Sequence, residues 1–201
     1  MPTGGPSPRV LKTWPSCDDV LLTKGGTLQH VPVGEVSTNF LSVLGVSPLL
    51  GRDFTFSDAL GPTYGMIIEY NVWQNYYGGD THIIGRPAGS GISAKTTIIG
   101  VMPQGFSFPP GTEMWKPREA DEYLRTKSRP YPFFKVIGRL HAGVKWSNAQ
   151  AEMDIIAKGL ASQYPTSDDG VGIRVVPLRE QLSHTVRQGL LLLWASIFGV
   201  C

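Results

Sequence analysis

The sequence predicts an α+β fold: small mixed sheets with βαβ units covered by helices, plus a C-terminal apolar helix that begins a transmembrane span. Three observations predict it. Short β-branched runs recur between Gly/Pro turns, and one segment near residue 150 carries a helical apolar stripe between two strand-like runs. The third is Gly189 to Cys201, Gly-Leu-Leu-Leu-Leu-Trp-Ala-Ser-Ile-Phe-Gly-Val-Cys, which holds no charge, proline or amide. A span needs roughly 20 apolar residues, so this run reads as the opening of one. A short apolar run reads equally as a core helix on length alone.

Residues 1–28 are rich in Pro, Gly and Thr with little periodicity, and predict an irregular leader. His30 to Val36 predicts a short strand. Ser37-Thr38-Asn39 offers an N-cap and Gly45 a C-terminal stop, which brackets a two-turn helix over Phe40 to Leu44. Residues 46–64, with Pro48, Gly51, Gly61 and Pro62, predict irregular chain. Gly65 to Tyr70 predicts a buried strand, Asn71 to Tyr77 a helix closed by Gly78-Gly79, and Thr96 to Val101 a strand ended by Met102-Pro103.

The second half has stronger periodicity. Phe134, Val136 and Leu140 predict one face of a strand, with Lys135 and Arg139 on the other. Ser147-Asn148-Ala149-Gln150 predicts a capping box, with serine bonding the third amide and glutamine reaching back. The helix it opens places Ala149, Met153, Ile156, Ala157, Leu160, Ala161 and Tyr164 on one stripe of 3.6-residue period, and Pro165 ends it. Val171, Ile173 and Val175 predict a further strand, parallel to the first within one sheet, with a right-handed crossover.

Composition excludes several function classes. Charged residues make up 17% of 201, and the formal net charge is +2. No block of Lys or Arg marks a nucleic-acid footprint. Cys17 and Cys201, one in the Pro-rich leader and one in the apolar tail, make a poor disulfide pair and no metal site. The start, Met-Pro-Thr-Gly-Gly-Pro-Ser-Pro, has no charged segment followed by an apolar one, so no signal peptide is predicted.

No set of residues carries a catalytic, cofactor-binding or metal-binding reading. Gly89-Ser90-Gly91-Ile92-Ser93-Ala94-Lys95-Thr96 approximates a phosphate loop, but Ala94 replaces the glycine that lets backbone amides wrap phosphate. A β-branched run follows where such a loop needs a helix, so a hairpin loop is the expectation. His30, His82, His141 and His184 share no ligand spacing. Asp18-Asp19 and Asp168-Asp169 read as turn or cap acids. Ser42, Ser90 and Ser93 lie outside any Gly-x-Ser-x-Gly elbow. Trp73, Tyr76, Tyr77, Phe106, Phe108 and Trp115 gather in mid-chain without interleaved cations, which predicts core or interface and not base stacking.

Five blocks in order carry a resemblance: STNFLSVLGVSPLLGRDF from Ser37, YNVWQNYYGGDTHIIGR from Tyr70, IIGVMPQGFSFP from Ile98 with Met114-Trp115-Lys116-Pro117, FFKVIGRLHAGVKWSNAQAEMDIIAKGLASQYP from Phe133, and Ile173 to Leu182. From about residue 28 onward the chain resembles the MacB-like periplasmic core domain of FtsX-like ABC transporter permeases, most like the duplicated orphan permeases common in Acidobacteria. The resemblance implies porter-like βαβ units, one N-terminal span upstream, and an apolar tail at the position of the second span. It implies division into a leader (1–28), part of the periplasmic core domain (29–182) and the start of a truncated transmembrane helix (183–201). It implies a place in the bacterial inner membrane with this domain on the extracytoplasmic side. The implied partners are a separate ABC ATPase subunit, a second permease copy, a periplasmic adaptor, and membrane lipid at the C-terminus, with no nucleic acid. No cofactor and no catalytic residue carry over. Two departures stand out: Pro87 to Lys95 is Gly/Ser-rich where relatives show a Leu-Asn-Gly-type hairpin, and Glu69 replaces a small polar residue, which predicts a surface change. The alternative is a soluble α+β ligand-binding protein or enzyme whose last helix is core. A secreted interaction module is the third reading.

Overall fold

Among the described residues, eight strands join into one mixed sheet: β1 (Val10–Trp14), β2 (Asp19–Lys24), β3 (Thr27–Val36), β4 (Leu50–Gly51), β5 (Tyr64–Ile68), β6 (Thr96–Val101), β7 (Met114–Pro117) and β8 (Lys135–Gly138). The order is β4-β6-β5-β7-β3-β1-β8, with β2 attached to β3. The β5–β6 and β3–β7 pairs are parallel and the rest antiparallel. The helices named among the described residues are α1 (Phe40–Leu44), α2 (Ser57–Leu60), α3 (Tyr70–Tyr77) and α4 (Trp146–Gln163). This computed structural model describes residues 10–14, 19–60, 63–89, 96–118, 135–165 and 170–180. The chain divides into two units, Met1–Arg139, which holds the sheet, and Leu140–Cys201, which holds α4.

Adjacent residues on the central strands point to opposite faces, and both faces are covered. Met66 and Ile68 of β5, Ile98 of β6 and Met114 of β7 join one core cluster, with Val72 and Trp73 of α3. Ile67, Ile99 and Trp115, their neighbours in sequence, join a second cluster with Phe40, Leu41 and Val43 of α1. Strands buried on both sides read as continuous apolar runs, which is why Gly-Met-Ile-Ile is legible as a buried strand. The expected small sheets are thus one larger sheet with a core on each face.

The parallel crossover exists, but not where periodicity placed it. It is β5–α3–β6, with Tyr64 opposite Thr96 and Ile68 opposite Val101. Residues 171–177 are not strand. There the side chain of Gln150 stands in for a neighbouring strand: Nε2 donates to the Ile173 carbonyl and Oε1 accepts from the Val175 amide, each at 2.8 Å. The capping box fails for the same reason. Helix α4 starts at Trp146 with Lys145 as N-cap and no side-chain cap bond, and Gln150 is committed to 173, 175 and Asp154. The stripe of α4 holds at Ala149, which is buried, and is half-covered at Met153, Ala157, Leu160, Ala161 and Tyr164. Ile156 stays exposed.

Three other expectations change. Residues 1–28 are not wholly irregular: 10–14 and 19–24 are strands, and Gly25-Gly26, at φ 59° and 83°, forms the tight turn into β3. Residues 46–64 contain β4 and α2. On β8 the faces invert. Val136 is 55% exposed, while Ile137 packs on the second cluster. Arg139 donates to the Val43 carbonyl at 3.1 and 2.9 Å and to the Leu44 carbonyl at 3.1 Å. A cation placed on the free carbonyls of α1 satisfies orphan acceptors and opposes the helix dipole.

Gly51 and Gly45 are required by geometry. Gly51 has φ 78°, and a Cβ there would collide with the Ile99 carbonyl of β6, so only glycine closes the β4–β6 pair. Gly45, at φ 73°, caps α1 as expected, its amide bonding the Leu41 carbonyl at 2.8 Å.

The apolar tail, 183–201, lies outside the described residues, as do Cys17, Cys201, Asp18, Asp168, Asp169, Ser90, Ser93 and His184. No described helix is long and apolar enough to cross a membrane.

Candidate functional site

Charged residues inside buried strands are the natural place to look for chemistry, because burial of an ion is costly without a partner. Glu35 sits within Val33-Gly34-Glu35-Val36 of β3 and is buried. The parallel register sets it opposite Lys116 of β7, whose Nζ lies 3.1 Å from Oε1. Arg118, just past β7, bonds the other carboxylate oxygen, and its amide bonds the Val36 carbonyl at 2.8 Å. Two cations on one buried carboxylate, Lys116 within β7 and Arg118 just past it, tie β7 to β3.

A second network closes the 52–58 loop. Arg52 Nη1 and Nη2 donate to Asp58 Oδ2 and Oδ1 at 2.7 and 2.8 Å, and the Thr55 amide and hydroxyl both donate to Oδ2 at 2.7 Å. The Arg52 hydrogen bond, with Thr55 adding to it against burial, holds the Asp58 carboxyl down at about 2. Such a carboxylate is an acceptor, not an acid catalyst.

Glu69, expected at the surface, is buried. Its amide bonds the Glu113 carbonyl at 2.8 Å, and its own carbonyl accepts from Trp73 at 3.0 Å, opening α3. Burial first, then the Glu113 charge, push its carboxyl above the ordinary value, against a weak bond from Asn71 at 3.4 Å. Two carboxyls are not a metal site, and among the described residues no group of three or more His, Cys, Asp or Glu could hold a metal ion.

The histidines do not converge. His82 is 90% exposed, with Nδ1 3.4 Å from Asp80, while Arg86 Nη2 reaches Asp80 at 2.8 Å. The His82 amide and the Arg86 charge lower the Asp80 carboxyl. His30 and His141 are exposed elsewhere, and Ser42 is exposed on α1. Thr96, the last residue of the approximate phosphate loop, opens β6 and not a helix, as expected.

The mid-chain aromatics split between the two core faces. Phe106, Phe108 and Trp115 gather around Phe40: Phe108 stacks on it at 6.3 Å, and Trp115 Nε1 donates to the Phe108 carbonyl at 2.8 Å. Trp73, Tyr76 and Tyr77 belong to the α3 face, beside a groove of about 210 Å³ lined by Leu21, Leu22, Thr23, Tyr76, Tyr77, Pro87 and Gly89. The Tyr77 hydroxyl is buried there with no hydrogen-bond partner, and burial pushes it up to about 12.

Sequence reasoning missed both ion clusters. Glu35 and Arg118 lie 83 residues apart. The available signal was a charge inside an apolar strand, at Glu35 and again at Lys116, each of which demands a partner.

The described geometry contains a braced sheet and a groove, without a catalytic constellation. Comparison with known proteins gives it a context. The family model of the MacB-like periplasmic core domain matches residues 8–156. The structure is similar to the periplasmic region of MacB from Actinobacillus actinomycetemcomitans, with TM-score 0.52 and 13% identity over 78% of this chain and 68% of that one. It is similar to a domain of a permease protein from Porphyromonas gingivalis (TM-score 0.55, 16% identity, 81% of this chain and 70% of that one). It is also similar to the extracellular domain of the noncanonic ABC-type transporter YknZ from Gram-positive bacteria (TM-score 0.52, 17% identity, 80% and 78%). At such identities these likenesses establish the fold. No curated protein sequence matches. The family match begins at residue 8, ahead of β1, and so covers strands β1 and β2. With three quarters of its length inside that model, the chain belongs to the family of MacB-like periplasmic core domains.

Proposed function

We propose that this chain is the extracytoplasmic domain of an ABC transporter permease subunit of the bacterial inner membrane. In this reading it couples ATP-driven movement of transmembrane helices to export or to a periplasmic partner. The observation that carries the reading is the family match over residues 8–156, and the fold shared with three transporter domains supports it. The domain performs no covalent chemistry. Its sheet, covered on both faces and cross-tied by Glu35, Lys116 and Arg118, suits transmission by rigid-body motion. A separate ABC ATPase subunit drives the cycle, a second permease copy completes a dimer, and a periplasmic adaptor is the further partner. The apolar run from Gly189 enters lipid as the start of a span.

Two observations test this. The flanking reading frame should continue the apolar run by about 8–10 residues, with another span upstream and an ATPase gene nearby; a stop codon at Cys201 and a soluble monomer would defeat the reading. In the full permease reconstituted with its ATPase, spin labels at Leu28→Cys in the two copies should change separation between nucleotide-free and ATP-bound states. An unchanged separation removes the coupling role.

A further inference from the structure

We infer that the outer edge of β2 is a docking groove for an extended peptide strand of a partner protein carrying an acidic residue. Gly25-Gly26 is a two-residue turn with both φ positive, so Lys24 and Thr27 form the closing hydrogen-bonded pair of the hairpin. Alternation then turns the backbone groups of Leu22 and Val20 inward to Gln29 and Val31, and those of Leu21 and Thr23 outward. Among the described residues β2 pairs only with β3. Leu21 and Thr23, with Leu22 between them, line one side of the groove of about 210 Å³ whose other lining residues are Tyr76, Tyr77, Pro87 and Gly89. A strand edge beside a concave wall is the arrangement that adds a peptide as one more strand, its main chain giving affinity and alternate side chains specificity.

Charge selects the occupant. Lys24, at the turn end of the edge, lies over the Tyr76 ring at 5.7 Å and pairs with no carboxylate among the described residues. Tyr76 is itself held by its hydroxyl, which donates to Gln29 Oε1 at 2.6 Å. A peptide paired with Leu21 and Thr23 places an apolar side chain against Tyr77 and Pro87, and a carboxylate next to Lys24. This edge would bind its peptide whether or not the chain stands beside a membrane, so failure of the permease reading leaves it intact.

The test is selection of a phage-displayed library of random short peptides on the full chain, with enriched peptides then titrated by fluorescence anisotropy. Alternating apolar sequences with an Asp or Glu are expected. Thr23→Pro, which removes one outward amide from an edge strand, should weaken binding about tenfold. Lys24→Glu should weaken acidic peptides several-fold and favour basic ones. Because Thr23→Pro could also disturb the hairpin, the best peptide is remade with alternate amides N-methylated, which should abolish binding to the unaltered protein. Failure to enrich any peptide overturns the proposal, as do binders indifferent to N-methylation and to Lys24→Glu. Self-association lost in Thr23→Pro would make the occupant a second copy and overturn it too.

Discussion

Arg52 grips Asp58 through two hydrogen bonds of 2.7 and 2.8 Å, six residues apart in the chain. The carboxylate also holds the Thr55 amide and hydroxyl, so one buried side chain fixes the turn between β4 and α2.

Asp58→Asn should therefore destabilise the domain by about 2 kcal/mol near neutral pH, the scale of hydrogen bonds to a charged group. The folded value, about 2, lies below the ordinary 3.8. The contribution is thus present above 3.8 and lost as pH falls toward 2. Urea unfolding of both proteins across that window should show the difference shrinking with acid; a constant difference would mean the charge is irrelevant.

Tyr77→Phe should stabilise by about 1 kcal/mol, since it removes a buried hydroxyl without a partner. The tyrosine value is raised from 10.0 to about 12 by burial. Its neutral form is favoured in the folded state, and that stability is lost as pH rises through this range. Thermal unfolding and alkaline titration of the pair measure both effects. An equal or lower Tm for Tyr77→Phe would show that the hydroxyl is satisfied.

Glu69→Gln should raise stability near neutral pH and lose that advantage in acid. Burial and Glu113 raise the carboxyl value, so the folded state favours the protonated form, and ionisation costs stability as pH rises. Matched denaturation curves at neutral and mildly acidic pH decide it, and a variant less stable at neutral pH would contradict the assignment.

Local sequence carried the first helix and the central strands well. Phe40 to Leu44 stopped by Gly45, and Thr96 to Val101 before Pro103, follow from a glycine stop and a β-branched run, although Asn39 ahead of α1 makes no side-chain cap bond. Tertiary pairing decided what sequence could not. Val10 to Trp14 is a strand because β3 and β8 flank it, and nothing within residues 1–28 announces those partners. Gln150 looked like a capping residue, but the backbone of 173–175 offered its amide both a donor and an acceptor. The face of β8 is not legible in sequence because Val136 and Ile137 are equally apolar, and only the position of α1, reached by Arg139, chooses between them. The cross-strand meeting of Glu35 with Lys116 and Arg118 was not legible, because Glu35 and Arg118 lie 83 residues apart in the chain.

A chain ending at Gln188 should be more soluble than the full sequence, because it lacks the uncharged run from Gly189 to Cys201. Expression of both without detergent, followed by ultracentrifugation, reads this out. Equal solubility would count against a membrane segment.

Under the proposed function, this domain faces the outside of the inner membrane. The direct measurement uses the full-length permease with Cys17 and Cys201 replaced by serine and a single Leu28→Cys, an exposed position on β3. Intact cells or spheroplasts are treated with a membrane-impermeant maleimide. Labelling in intact spheroplasts, equal to that after lysis, is the predicted result. Protection until the membrane is broken would place the domain in the cytoplasm and contradict the account.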